Sequence, residues 1–218
     1  MKARRKLNHV GAVLLGGLCV LSAGTPASAD LLEEPTFIAG RDGVLFMFGE
    51  ISGAALDAFE DAVEDNPATT TLVPCIVPGS SDDNAMIEMS YLVRDMGLRT
   101  HLTSRSQVAS GGTDLFLAGE LRTMVSGADI GVHSWSDGEN DAADFPRTSP
   151  EHDLNRDYIV DMLGADAFYW FTIYAAPADD MHWMTAAEIT TYGLLTAPVQ
   201  TADSAITCPD IGAERLIP

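Results

Sequence analysis

Between residues 43 and 103 the chain repeats one alternation, a short apolar run followed by a segment of helical periodicity, and this restricts it to an α/β fold. GVLFMFG (43–49) is an apolar run between glycines and reads as a short buried strand. Leu56, Phe59 and Val63 then recur at helical spacing, in a segment that Ser52 caps and Asn66-Pro67 ends. Residues 70–77 read as a second buried strand, closed by Pro78-Gly79-Ser80-Ser81. Over 82–96, Met86, Met89, Val93 and Met96 form a helical stripe, a core face rather than a cofactor box. Residues 98–103 give a third strand and 129–134 a fourth. Strands and helices alternating this closely build a largely parallel sheet covered on both faces by helices through right-handed crossovers.

In such a sheet ligands gather at the carboxyl ends of the strands. Three polar features fall there: the Pro78-Gly79-Ser80 turn, Ser110-Gly111-Gly112, and His133. Within QVASGGTDLFLAGELRTMVSGADIGVHSW (107–135), Val108-Ala109 reads as the end of a buried strand and 113–121 as a helix. Gly111-Gly112 lets the backbone turn sharply, so the Ser110 hydroxyl sits at a helix N-terminus, where free N–H groups favour developing negative charge. A serine so placed, with a histidine 23 residues later, is a candidate nucleophile with its base. The plainer reading is a small-residue packing turn capped by serine.

Beyond His133, SDGENDAADFPRTSP (136–150) is an acidic loop with the character of a flap. Residues 151–163 and 165–174 read as helices, the second dense in aromatics (Phe168, Tyr169, Trp170, Phe171) suited to core or a subunit interface. His101 reads as a satisfied, partly buried histidine, His152 as a surface residue at a helix start, and His182 as a loop residue beside Trp183. From 197 on the chain is irregular.

At the N-terminus, Lys2, Arg4, Arg5 and Lys6 precede an apolar run over 10–21, and Ala27-Ser28-Ala29 offers a cleavage site before Asp30. This is the pattern of a secretory signal peptide over 1–29, with one domain over 30–218 exported to the periplasm. The apolar run is too short for a membrane span, so no membrane insertion of the mature chain is expected. Residues 1–29 hold four of the twelve basic residues and none of the 32 acidic ones, leaving eight arginines against 32 carboxylates, a formal charge of −24. No lysine remains, which excludes a lysine base, a Schiff-base lysine and a lysine phosphate clamp at once. The charge argues against nucleic-acid partners, which need basic patches. It reads as a solvated acidic surface, with a preference for basic substrates as the functional alternative. Cys75 and Cys208 either form a disulfide, which export permits, or remain a buried thiol and its distant counterpart.

Over roughly residues 44–195 the order of these signals resembles the Clp protease proteolytic subunit (ClpP) of the crotonase-like superfamily, in particular its exported members. GEISGAALDAFEDAVEDNP resembles that family's first strand-helix unit, and VPCIVPGSS its strand leading into a Pro-Gly-Gly turn, with Ser80 at the second glycine. QVASGGTDLFLAG resembles the nucleophile turn, IGVHSW the strand bearing the catalytic histidine, and DDMHWMTAAEITTYGLL the segment that carries the aspartate. The resemblance implies a crotonase-like ββα superhelix with Ser110 as nucleophile and His133 as general base. It further implies an oxyanion hole from the backbone of Gly111 with Gly79 or Ser80. Met181 falls on the aspartate position, so Asp180 is the expected third member and Asp179 the second choice.

The function expected is an exported, ATP-independent serine peptidase or esterase acting on short or unfolded peptides or small esters. No cofactor is expected, and the fold implies a homo-oligomer. The alternative is an inactive binding or scaffold protein, motivated by Ser80 and Met181. A third reading, a metal site from His133, His152, His182 and the Asp179-Asp180 pair, matches no zinc spacing; metal ligation is not expected.

Overall fold

The computed structural model of the protein describes residues 30–201 and 205–212; the expected signal peptide, over 1–29, lies outside the described residues. In chain order the first elements are α1 (Asp30–Glu33), β1 (Thr36–Ala39), β2 (Val44–Phe48), α2 (Ala55–Asp65), β3 (Thr71–Val77), α3 (Asp83–Asp95) and β4 (Arg99–Leu102). Next come β5 (Gln107–Ala109), α4 (Gly111–Leu117), β6 (Arg122–Met124) and β7 (Asp129–Val132). After two 3-10 turns, Ala142–Asp144 and Pro150–His152, the chain forms α5 (Asp153–Leu163), α6 (Ala167–Ala175), β8 (His182–Trp183) and α7 (Ala186–Thr191).

The strands form one sheet. β2, β3, β5 and β7 run parallel side by side, while β1 and β8 close the edges antiparallel. The sheet branches at β3. Its first residues, Thr71 and Leu72, pair with Arg99 and Thr100 of β4, and its last, Ile76 and Val77, pair with Gln107 and Val108 of β5. β4 then carries β6 on its far side. The corner between Leu102 and Gln107 therefore sends β5 and β7 toward the carboxyl end of the sheet, where the polar turns collect.

Side-chain alternation on β2 and β3 explains why both faces need cover. Leu45, Met47 and Leu72 face the main core with Phe59, Met86, Met89, Val93 and Phe116 from the helices, and beyond the register shift at Met47–Phe48 so does Val77. Met96, the last position of the expected stripe, is exposed instead, because α3 has ended at Asp95. Val44, Phe46, Phe48, Val73 and Cys75 face the other way. Helices were expected on this face too, but at β2 and β3 the cover is irregular chain: Ile206, Cys208 and Ile211 lie on it with Leu32 and Ile38. The tail is fixed there by a Cys75–Cys208 disulfide, Cα to Cα 5.8 Å, which resolves the two cysteines as a bridge.

α3 begins where its sequence directs, with the Asp82 side chain accepting from the Ala85 N–H at 3.1 Å. α2 has its N-cap at Ala54, two residues past the expected Ser52, although Ser52 still accepts from Ala54 and Ala55. α4 is shorter than the expected 113–121 helix, and β6 follows unanticipated. At Gly119 a Cβ would lie 2.6 Å from the Thr100 backbone nitrogen, so the chain leaves the helix to pass β4. The Thr100 hydroxyl meanwhile donates to the Phe116 carbonyl at 2.7 Å.

His152, expected at the surface, is fully buried. Its Nδ1 is 2.7 Å from the Tyr169 hydroxyl, and Trp135, Phe145 and Trp170 surround the ring. This cluster ties the 136–150 loop to α6, whose Phe168, Tyr169 and Trp170 are core residues. Among the described residues no helix is long and apolar enough to cross a membrane.

Candidate active site

Parallel pairing of β5 with β7 sets Ala109 against Gly131, so the residues just beyond each strand emerge side by side. Those residues are Ser110 and His133. The Ser110 N–H donates to the Gly131 carbonyl at 3.1 Å, and the Thr113 hydroxyl donates to the same oxygen at 2.8 Å. Ser110 takes φ 50° and ψ −127°, a sparsely populated conformation for a residue with a side chain. Such strain, on the order of 1–3 kcal/mol, persists only where surrounding contacts over-determine it.

The Pro78–Ser80 turn lies against this residue. A Cβ on Gly79 would sit 3.3 Å from Ser110 Cβ, and one on Gly111 would sit 2.6 Å from Ser80 Cβ, so glycine is needed for the two turns to touch. The turn is anchored from its other side: Ile51 N–H donates to Gly79 O at 2.9 Å, and Ser81 N–H donates to Ile51 O at 3.0 Å. The N–H groups of Ser80 and Gly111 meet no backbone acceptor among the described residues. The Ser80 side chain, which departs from a Pro-Gly-Gly turn, donates to Asp83 Oδ1 at 2.7 Å.

Ser110 and His133 line two depressions in common. One is shallow and bounded by Glu50 and the Pro78–Ser80 turn. The other is a cavity of about 260 Å³ whose wall includes Asp83, Asp114, Asn155 and Tyr169. His133 Nδ1 is 3.1 Å from the backbone carbonyl oxygen of Ala178. That carbonyl occupies the place expected of Asp180. The Asp180 carboxylate instead accepts from the Met181 N–H at 2.8 Å, and Asp179 is exposed with no hydrogen bond to the histidine. Met181 packs over Gly131, its sulfur 2.8 Å from where a Cβ would be. Ser110 and His133 line one pocket, with no hydrogen bond between Ser110 Oγ and the ring; catalytic hydrogen bonds of this kind commonly tighten only around substrate.

The remaining histidines among the described residues have their own partners. His101 Nδ1 is 2.8 Å from Thr123 Oγ1, with burial holding its pKa down, and His182 Nε2 is 3.1 Å from the Glu188 carboxylate. Among the described residues no group of three or more His, Cys, Asp or Glu side chains is arranged to hold a metal ion.

Asp114 was not anticipated as a site residue. Burial, and secondarily the charge of Asp83, push its carboxyl up to about 7, and no group among the described residues donates to it or forms an ion pair with it. Its position four residues after Ser110 on α4 is the signal that would have found it, because such spacing returns to the same side of a helix. Nothing in the sequence signals Ala178 O.

No family model matches the chain, and no curated protein matches it. Among solved structures it is similar to the ClpP protease catalytic domain from Plasmodium falciparum, with a TM-score of 0.51 and 15% identity, covering 77% of this chain and 88% of that one. At that identity the likeness concerns backbone architecture: the chain has a ClpP-like α/β fold.

Proposed function

We propose that the protein is an exported serine hydrolase in which Ser110 attacks a peptide or ester carbonyl and His133 moves the proton. The observation that carries this reading is the strained backbone of Ser110, held beside His133 on one cavity wall and against a turn with free N–H groups. A packing turn has no need of that conformation. The fold's likeness to a protease catalytic domain and the branching sheet, which suits a crotonase-like superhelix, are consistent with it.

In the mechanism, Ala178 O accepts the Nδ1 proton of His133, leaving Nε2 unprotonated as the base. Ser110 Oγ bonds to the substrate carbonyl carbon while its proton passes to Nε2. The carbonyl oxygen, now anionic, takes hydrogen bonds from Gly111 N–H and Ser80 N–H. Nε2 then protonates the leaving amine or alcohol, and water repeats the sequence to release the acid and free Ser110. A carbonyl fixes the tautomer but contributes no negative charge toward the imidazolium, so turnover slower than that of a full triad is expected. Asp180 stands as a candidate third member only if the 177–181 loop rearranges on substrate binding.

Export through a signal peptide over 1–29 belongs to this proposal, and the Cys75–Cys208 bridge suits an oxidising compartment. So does self-association, for which exposed Leu154, Val160 and Tyr174 on α5 and α6 offer a surface. Hydrolysis of an activated ester by wild type and by Ser110→Ala tests the central assignment; equal rates would remove Ser110 from its role. The second reading, a binding protein on a hydrolase fold, is favoured by the missing carboxylate behind His133 and predicts no turnover by either.

A further inference from the structure

The cavity beside Ser110 carries more negative charge than its surroundings balance. Asp83 receives one donor on each oxygen, from Ser80 Oγ at 2.7 Å and Asn155 Nδ2 at 3.1 Å. Both donors are neutral. Asp114 faces the same cavity with no donor at all among the described residues. Asn155 Oδ1 is a buried acceptor without a partner. No arginine forms an ion pair with either carboxylate among the described residues, and no lysine exists beyond residue 6 to do so.

Two carboxylates and the unpartnered Asn155 Oδ1 therefore lie around one space, and no described residue supplies the cation. Unpaired buried acceptors and charge are costly to keep unless a ligand completes them. The cavity, about 260 Å³, falls below the roughly 300–1,000 Å³ of sites for drug-sized ligands and suits a single side chain. Val132 and Ile159 on its wall give apolar surface for methylenes. A guanidinium fits the polar group best, since it brings five N–H donors in a planar fork and no acceptor.

We infer that this cavity selects a basic side chain of the substrate, arginine before lysine, with Asp114 and Asp83 as its specificity-determining carboxylates and Asn155 Oδ1 as an additional acceptor. This rests on the proposed hydrolase reading for the placement of the scissile bond next to Ser110, but the recognition itself does not need turnover. Ser80 joins the two functions, its backbone N–H facing the reaction and its hydroxyl holding Asp83.

Two measurements on the full chain separate this inference from the hydrolase reading. Rates are compared for matched ester substrates with arginine, citrulline, norleucine or glutamate preceding the scissile bond; citrulline keeps arginine's shape without its charge. The expected preference is arginine over citrulline by roughly tenfold or more, with glutamate poorest, because an unpaired buried polar group penalises the analogue. In parallel, N-acetylargininamide and its citrulline counterpart are titrated into Ser110→Ala by calorimetry, where arginine again should bind more tightly. Asp114→Asn, nearly isosteric, should collapse both preferences while its circular dichroism matches wild type. Turnover with equal rates for arginine and citrulline overturns the basic pocket and leaves the hydrolase intact. Arginine-selective binding to Ser110→Ala without turnover by wild type does the reverse. Faster turnover of the citrulline or norleucine ester together with tighter binding of the citrulline amide overturns the inference outright.

Discussion

His133 Nδ1 lies 3.1 Å from the carbonyl oxygen of Ala178, and this one bond decides what kind of base the histidine is. A carbonyl accepts only, so the Nδ1 position must carry the proton and Nε2 is left free. The Asp180 carboxylate, occupied by the Met181 N–H, does not share in this. Asp180→Asn should therefore change the hydrolysis rate by no more than about twofold, whereas His133→Ala should lower it by roughly 10²–10⁴-fold. Initial rates on an activated ester check both. A large loss in Asp180→Asn would mean that the loop brings the carboxylate to the ring during the reaction.

The Asp114 carboxyl gives stability a distinct pH dependence. Its folded pKa, about 7, is above the ordinary 3.8, so the folded state holds a proton that the unfolded chain releases first. Stability from this group is full below pH ~4, declines as pH rises toward ~7, and is lost above that, in total on the order of 4 kcal/mol. Asp114→Asn should be more stable than wild type at pH 8, with the difference fading by pH ~4. Urea unfolding at the two pH values measures it.

The disulfide between Cys75 and Cys208 closes a separation of 133 residues and holds the tail over the outer faces of β2 and β3. Loop-closure entropy for so long a loop is on the order of 3–5 kcal/mol, and loss of the tail would also uncover Val44, Phe46 and Val73. Reduction, or Cys208→Ala, should lower the thermal midpoint by about 10 °C or more, at roughly 2–4 °C per kcal/mol for a chain of this size. Differential scanning calorimetry with and without reductant checks it.

Gly111 is required by proximity. A Cβ there would meet Ser80 Cβ at 2.6 Å, so Gly111→Ala must push the Pro78–Ser80 turn away from Ser110. Separating the two N–H donors should cut kcat by roughly 10²-fold, as removal of an oxyanion donor does elsewhere, with substrate binding less affected. A kcat and KM comparison distinguishes this from general misfolding.

Long apolar runs and strong helical stripes made β2, β3, α2 and α3 legible, since each is specified by residues a few positions apart. The Ser110 and His133 segments were legible for the same reason: a strand end, a glycine turn and a polar residue are local signals. β1, β6 and β8 were not, because two to four residues cannot display a period, and their pairing comes from neighbours distant in the chain. His152 was misread because Glu151 and Asp153 flank it with charge, while the hydroxyl that satisfies it belongs to Tyr169, 17 residues on. The contact of His133 Nδ1 with Ala178 O was not legible, because a backbone carbonyl carries no residue type to read. The acidic cavity needed Asp83, Asp114 and Asn155 from three different helices or helix starts, a convergence only the tertiary fold produces.

The most direct measurement is mass spectrometry of the protein after exposure to a fluorophosphonate, comparing wild type with Ser110→Ala and His133→Ala. The account predicts one phosphonyl adduct on wild type, mapped to the peptide containing Ser110, none on Ser110→Ala, and sharply slowed labelling of His133→Ala. An adduct of equal extent on Ser110→Ala, or none on wild type, would contradict it.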